Sequence, residues 1–150
     1  MTKKSLCVVT GTRAEYGLLR PVLQKLLQSD VIEPRLVVTG AHLAPEFGNT
    51  VSEIEADGMP IAARIPILKF GTGSPLATAR TVSYTMERFT DYFSQNRPDA
   101  VLVLGDRYEI FAAGAEAALL EIPLAHIGGR GGRLVPPLPD EDGVPALSVL

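Results

Sequence analysis

The stretch V-V-T-G-T-R-A-E-Y-G at residues 8–17 ends a short apolar run in a glycine-containing turn and leads directly into an amphipathic helix. A helix that begins where a strand ends presents unpaired backbone N–H groups, and its dipole favours an anion beside them. Arg13, in the same turn, carries a planar guanidinium that suits phosphate oxygens. We therefore expect this turn to bind a phosphorylated ligand.

The composition limits the class of protein. A chain of 150 residues with 46% hydrophobic content is long enough for one domain with a substantial core. Its net charge of −3 argues against nonspecific binding to nucleic acid or to an acidic membrane. The single cysteine, Cys7, lies in an apolar run, which favours a buried thiol in a reducing compartment. The N-terminus has the pattern of neither a signal peptide nor a membrane span, so we expect a cytoplasmic protein.

Strand and helix patterns alternate along the chain with short connections between them. Strand patterns occupy residues 6–10, 34–39, 61–68, 100–104 and 123–127. Helical patterns occupy residues 18–27, 45–57, 75–97 and 108–120. The apolar residues that mark the first and third helices are Leu18, Leu19, Val22, Leu23, Leu26 and Leu27, and then Leu76, Ala79, Val82, Met86, Phe89 and Phe93. The alternation predicts an α/β domain whose doubly wound parallel sheet is covered by helices on both faces.

Polar residues follow four of the predicted strands. They lie at residues 10–16, 39–42 and 105–107, and at His126. In a doubly wound sheet, ligands bind beyond the carboxyl ends of the strands. We therefore expect these four groups of residues to share one rim of the sheet.

Three candidate ligand contacts lie in the first polar group. Arg13 either grips a diphosphate or lies over the sheet edge with only its head in water. Glu15 either binds a ribose or sugar hydroxyl or only favours the first turn of its helix as a negative charge. Tyr16 is a third candidate, although a half-buried packing role is common for tyrosine.

The remaining candidates follow the second and fourth strands. His42 lies in the loop G-A-H-L, where an imidazole on the rim either contacts the ligand or is an ordinary loop residue. Asp106 is the strongest chemical candidate, because it directly follows an apolar strand beside Arg107, a further candidate contact. The alternative for Asp106 is an N-terminal cap of the next helix, and one residue can do both.

Several cofactor classes lack their motifs in this chain. No G-x-G-x-x-G pattern follows the first strand, which argues against a nicotinamide or flavin site. No Walker lysine motif is present, and His42 and His126 stand apart from other metal-ligating residues. We expect neither a cofactor nor a metal.

Four stretches resemble the hydrolysing UDP-N-acetylglucosamine 2-epimerases of sialic-acid and related nonulosonate biosynthesis. They are V-V-T-G-T-R-A-E-Y-G-L-L-R-P (8–21), V-T-G-A-H-L-A-P-E-F-G-N-T (38–50), R-P-D-A-V-L-V-L-G-D-R-Y-E (97–109) and I-P-L-A-H-I (122–127). The resemblance is essentially continuous over residues 5–127, and its T-R-A-E-Y and L-G-D-R-Y-E elements are quite specific.

The resemblance implies a fold and a reaction. The fold is the Rossmann-like N-terminal half of a GT-B-like two-domain protein, with the UDP-N-acetylaminosugar in the cleft between domains. The reaction eliminates UDP to a glycal-type intermediate and then adds water to give N-acetylmannosamine. Arg13 matches a UDP-contacting arginine, Asp106 matches a carboxylate of the acid–base steps, and His42 lies near the sugar. Full-length members of the family are expected to be homo-oligomers.

The resemblance stops after Ile127. Where the family pattern continues with an H-G-G-E element, residues 128–150 form a divergent Gly/Pro-rich tail. One interpretation is a disordered linker, and another is an Arg-Gly segment that contacts RNA. A third is a frameshift, because the codons of residues 128–148, read one base later, permit E-G-A-V-D-D-S-F-R-H-S-L-T-K-M-A-S-L-H-F. Sequencing the gene tests that hypothesis.

This departure has consequences for activity. If the tail is a frameshift product, the carboxylates expected after the fifth strand and the second wall of the cleft are missing. We then expect weak UDP binding, no epimerisation, and an apolar sheet edge that favours aggregation. Three functions stay open: a truncated epimerase, a stand-alone UDP-sugar-binding module or half of a split enzyme, and a glycosyltransferase donor domain.

Overall fold

All five predicted strands are present in the computed structural model, which describes residues 2–128 and 134–135. The strands are Lys4–Thr10 (β1), Ile32–Thr39 (β2), Ile61–Ile65 (β3), Ala100–Leu104 (β4) and Leu124–Ile127 (β5), followed by Leu134–Val135 (β6). The α-helices are Arg13–Leu27 (α1), Val51–Ala56 (α2), Pro75–Gln95 (α3) and Tyr108–Leu119 (α4).

The helix predicted at residues 45–57 is wrong in its first half. Gly40–Leu43 and Pro45–Phe47 form two short 3-10 helices, and α2 begins only at Val51. Gly48 and Asn49 both have positive φ values, of 85° and 46°, which an α-helix cannot contain. The backbone therefore turns at these two residues before the helix can start.

The sheet has the strand order β3-β2-β1-β4-β5-β6, and its first five strands are parallel. This confirms the predicted doubly wound α/β fold. β6 runs antiparallel to β5 and pairs with Leu124 and Ala125, so part of the edge that was expected to be open is covered. The rest of the predicted tail beyond Gly128 lies outside the described residues, and its origin stays a prediction.

Side chains alternate between two separate cores, one on each face of the sheet. Cys7, Val9 and Val103 pack with α3 and α4 on one face, and Val8 and Leu102 pack with α1 and α2 on the other. Because β4 and the carboxyl-terminal halves of β1 and β2 are buried on both sides, their sequences are continuously apolar and not alternating. Cys7 is buried as predicted, and burial raises the pKa of its thiol to about 12.

The apolar pattern predicts the buried face of α3 correctly at Phe89 and Phe93 but not in the first half of the helix. Leu76 is exposed, and the buried residues are Ala77, Thr81, Thr85, Phe89 and Phe93. The hydroxyls of Thr81 and Thr85 donate to the carbonyl oxygens four residues earlier, at 2.8 and 2.6 Å. Since the helix itself satisfies these hydroxyls, threonine is tolerated in the core. Leu18 and Leu27 of α1, also expected to face the sheet, are exposed.

Candidate functional site

The strand order reverses between β1 and β4, which is where ligands bind in doubly wound sheets. The turn after β1 contains Gly11 and Thr12, and the turn after β4 contains Gly105, Asp106 and Arg107. The two turns flank the same crevice, because β1 and β4 are parallel neighbours. The carboxyl ends of these strands therefore form the candidate site.

The turn after β1 is prepared for a helix start. Thr12 is the extended N-cap residue of α1, and its Oγ1 accepts a hydrogen bond from the backbone N–H of Glu15 at 3.2 Å. Arg13 is the first helical residue, so its charge lies beside the positive end of the helix dipole. The geometry matches the expected arrangement of a helix N-terminus plus a guanidinium.

Arg13 lies on the β2 side of the crevice. Its side chain is 73% exposed, and its Nε donates to Glu53 of α2 at 3.0 Å. Arg13 also lines a cavity of about 400 Å³ between α1 and α2, together with Arg20 and Asp57. The observed partner of Arg13 is thus a neighbouring helix, and a contact of Arg13 with a diphosphate stays a prediction.

Tyr16 is almost fully buried, more deeply than the half-buried position considered from the sequence. Its hydroxyl donates to Asp57 at 2.6 Å, and Arg20 also pairs with Asp57 at 3.1 Å. Burial, together with the neighbouring Asp57 carboxylate, raises the pKa of Tyr16 to about 12. Tyr16 thus packs α1 against α2, and a contact of Tyr16 with a ligand stays a prediction.

His42 is fully buried, which corrects the expectation of an imidazole on the open rim. Its Nε2 is 3.0 Å from the hydroxyl of Thr10, and its Nδ1 is 2.9 Å from the hydroxyl of Thr50. We call Thr10, His42 and Thr50 the histidine cluster. Burial lowers the pKa of His42 to about 4, so the ring is neutral at physiological pH. The cluster ties the end of β1 to the segment that leads into α2.

Asp106 is exposed in the turn after β4, and it is not the cap of α4. The N-cap residue is Arg107, which has an extended backbone and makes no side-chain cap bond. The capping alternative for Asp106 is therefore wrong, and a carboxylate that faces solvent remains in the crevice. The other end of this turn is fixed by His126, whose Nε2 donates to the carbonyl oxygen of Gly105 at 2.6 Å.

Arg107 pairs with a residue that the sequence did not single out. Its Nε donates to Oε1 of Glu109 at 2.6 Å, and the Arg107 side chain is 48% exposed whereas the Glu109 side chain is 1% exposed. Glu109 packs directly beneath the turn after β1, because a Cβ built on Gly11 would lie 2.8 Å from Oε1 and from Cγ of Glu109. The available clue was the pair of charged residues, Glu109 and Glu116, in the otherwise apolar helix at residues 108–120.

Glu15 is buried next to Glu109, and a contact of Glu15 with a ligand hydroxyl stays a prediction. Among the described residues, three buried oxygens have no hydrogen-bond partner: both of Glu15 and Oε2 of Glu109. Burial first, and then the negative charge of Glu109, raise the pKa of Glu15 to about 7. We call Glu15 and Glu109 the carboxyl pair.

No group of three or more His, Cys, Asp or Glu side chains between residues 2 and 128 is placed to hold a metal ion. None of the helices in that part of the chain is long and apolar enough to span a membrane.

Comparison with known proteins identifies the family. Residues 24–142 match the family model for UDP-N-acetylglucosamine 2-epimerase. The chain belongs to this epimerase family. It is 42% identical over 126 residues to the hydrolysing UDP-N,N'-diacetylbacillosamine 2-epimerase of Legionella pneumophila, covering 84% of this chain and 33% of the relative. It is equally identical, over the same length, to the polysialic acid biosynthesis protein P7 of Escherichia coli, of which it covers 32%. The resemblance found in the sequence is thus confirmed.

Solved structures of the epimerase family share the fold. The Neisseria meningitidis UDP-GlcNAc 2-epimerase bound to UDP-GlcNAc superposes with a TM-score of 0.71 at 25% identity, over 93% of this chain and 36% of that one. The fold of Acinetobacter baumannii MurG is also similar, with a TM-score of 0.54. These matches confirm the expected N-terminal part of a GT-B-like protein. The chain spans about a third of the length of the curated relatives that it matches.

Proposed function

We propose that this chain forms the N-terminal part of a hydrolysing 2-epimerase that acts on a UDP-linked N-acetylated aminosugar. The observation that carries the proposal is the crevice between β1 and β4, where the α1 N-terminus, Arg107 and the exposed Asp106 lie on adjacent turns. These are the groups that a diphosphate leaving group and a proton transfer require.

The proposed reaction assigns a role to each exposed group. Elimination breaks the bond between the anomeric carbon and the diphosphate, and the electron pair leaves with UDP. Arg107 and Arg13 offset the charge that develops on the departing diphosphate. Asp106 removes or returns a proton at the neighbouring sugar carbon. Addition of water to the glycal-type intermediate then gives the free 2-epimer.

The Arg13 side chain must move before it can contact the same ligand as Asp106. Arg13 is held by Glu53 on the β2 side of β1, whereas Asp106 follows β4 on the other side. A diphosphate that competes with Glu53 for the guanidinium would draw Arg13 toward the crevice. The exposed ion pair opposes this by at most about 1 kcal/mol, so the exchange costs little.

The 150 residues on their own are expected to bind UDP weakly and to be inactive. A GT-B-like site is completed by a second domain, and the match to the chain spans only about a third of its curated relatives. Losing the wall that excludes water and holds the sugar removes most of the positioning on which catalysis depends. If adding a separate polypeptide that carries the second domain restores turnover, the split-enzyme alternative is favoured.

Isothermal titration with UDP tests the proposal. We expect the affinity to fall about tenfold in Arg13→Ala and in Arg107→Ala, because each loses a charge-assisted contact of about 1.5 kcal/mol. Arg35→Ala is the matched control, since Arg35 is also half-exposed and paired with a glutamate but lies on the lower half of β2. Equal loss in all three variants, or no UDP binding by the parent chain, would contradict the proposal.

A further inference from the structure

The three unpartnered oxygens of the carboxyl pair are the least satisfied polar atoms in the described residues. Glu15 belongs to α1 and Glu109 belongs to α4, so two elements contribute to one buried site beneath Gly11. Buried carboxylates without partners are costly, and natural proteins carry few of them. Such an arrangement calls for a function beyond packing.

The charge balance of this site is the next step. Arg107 and Glu109 are the charged groups that act on Glu15, and Tyr108 is the other titratable neighbour of Glu109. With both carboxyls ionised, one guanidinium faces two negative charges. One proton on the pair makes the group of three neutral, which removes the cost of an uncompensated buried charge.

The hydrogen bonds decide where that proton resides. Glu109 accepts from Arg107 Nε at 2.6 Å, so one of its oxygens already has a cationic donor. The Glu15 oxygens accept no bond from a cation among the described residues. Gly11 and Thr12 act to lower the pKa of Glu15, but burial and the charge of Glu109 outweigh them, so Glu15 is the better place for the proton.

We propose that Glu109 is a positioning residue that holds Arg107 toward the diphosphate, and that Glu15 is its protonated partner. Because Glu109 binds Nε, the two terminal nitrogens of the half-exposed guanidinium stay available as a fork for phosphate oxygens. The Tyr108 ring, 5.4 Å from the guanidinium carbon, supports the same orientation. The diphosphate part of this inference rests on the proposed function, whereas the shared proton does not.

The pair then controls ligand affinity through pH. Loss of the proton from Glu15 puts a second negative charge beside Arg107, which competes with the diphosphate for the guanidinium. UDP itself gains charge near pH 6, as phosphate monoesters do at about that pH, so the parent chain alone gives a mixed profile. Comparison with Glu15→Gln, which is permanently neutral, isolates the contribution of the pair.

The first experiment needs no ligand. The carboxyl carbons of 13C-labelled glutamate are followed by NMR as a function of pH in the parent chain and in Glu109→Gln. We expect Glu15 to titrate near pH 7 in the parent, and at lower pH in the variant, because the repelling charge is gone and Arg107 becomes its partner. Titration of Glu15 in the ordinary range of exposed glutamates, near pH 4.5, would overturn the shared proton.

The second experiment is UDP titration at pH 6 and pH 8. Glu109→Gln should weaken binding about tenfold at both pH values, and Glu109→Asp should recover part of that loss. Glu15→Gln should match the parent at pH 6 and bind about threefold more tightly than the parent at pH 8. Glu116→Gln is the matched control, because Glu116 is a second buried acid of α4, bonded to Thr90 and not to an arginine.

The outcomes separate the two proposals. If Glu15→Gln loses affinity at both pH values, Glu15 reads a ligand hydroxyl and the inference is wrong. If Glu109→Gln binds UDP as well as Glu116→Gln does, Glu109 does not position Arg107. If the parent chain fails to bind UDP, the proposed function fails, and the NMR titration still decides whether the carboxyl pair shares a proton.

Discussion

The histidine cluster and the carboxyl pair lie on opposite sides of β1, and they treat buried polarity in opposite ways. In the histidine cluster, both ring nitrogens of His42 meet a threonine hydroxyl. In the carboxyl pair, three of the four oxygens meet no donor among the described residues. His42, Glu15 and Glu109 are all buried, so burial alone does not explain the difference.

The difference shows that hydrogen bonding determines which buried groups have a structural role and which can change their charge. A neutral imidazole with both nitrogens satisfied gains nothing from a proton, and its cluster fixes the backbone around it. Two adjacent carboxyls with one cation leave room for a proton, so their charge responds to pH and to ligand. The histidine cluster therefore has a structural role, whereas the carboxyl pair has the properties of a binding site.

The largest effect on stability is expected at the histidine cluster. His42→Ala should lower the free energy of unfolding by about 3 kcal/mol, because it leaves a cavity and two unpartnered hydroxyls. His126→Ala is the control, since His126 is partly exposed and makes one hydrogen bond, to Gly105; about 1 kcal/mol is expected there. Urea denaturation measures both. Equal losses would break the comparison.

The two sides should give opposite dependences of stability on pH. The lowered pKa of His42 means that the unfolded chain binds the extra proton between about pH 6.5 and 4, so stability falls as pH drops through that range. The raised pKa of Glu15 means that the folded chain holds the extra proton between about pH 4.5 and 7, so stability falls as pH rises through that range. Each contribution is at most about 3 kcal/mol.

Single variants should reveal each slope. In Glu15→Gln, only the acid-side loss caused by His42 remains, so unfolding becomes easier toward pH 4. In His42→Ala, only the loss caused by Glu15 remains, so unfolding becomes easier toward pH 7. Chemical denaturation at pH values from 4 to 8 measures both. Parallel pH profiles in the two variants would show that the two groups do not titrate oppositely.

A smaller effect is expected from two glycines, Gly11 and Gly17, that lie on either side of Glu15 in the sequence. Gly11→Ala should cost about 1–2 kcal/mol, because its Cβ would displace the Glu109 side chain. Gly17→Ala should gain about 0.5–1 kcal/mol, because Gly17 lies inside α1 with open space around it. Thermal unfolding ranks the two variants. A neutral Gly11→Ala would show that Glu109 moves freely, which weakens the case for its positioning role.

The sheet could be predicted from the sequence because its strands obey one simple rule. Strands buried on both faces are apolar throughout, so β1 and β4 stand out as short runs bounded by polar turns. Their parallel order followed from the alternation with helices. The exposed side of a helix was harder to predict, because α3 buries Thr81 and Thr85 and exposes Leu76. Internal hydrogen bonds of threonine are invisible to a hydropathy pattern.

The sequence predicted where the candidate residues lie along the chain, but not which of them are buried. The sequence located the turns after β1 and β4, and with them Arg13, Asp106 and Arg107. It did not reveal that His42 and Glu15 are buried, because both follow strands in the way that rim residues do. It also missed Glu109, whose importance depends on the proximity of α4 to Gly11. Such contacts between elements distant in sequence arise only when the sheet is assembled.

The position of Cys7 allows transient opening of the folded chain to be measured by thiol labelling. Its sulfur lies at the centre of the molecule, and its high pKa leaves almost no thiolate for reaction. A maleimide reagent should therefore not react with the folded molecule, and should label only molecules in which β1 has separated from the helices packed on it. Because the sequence contains one cysteine, the labelling rate measures that breathing directly, without any engineered probe.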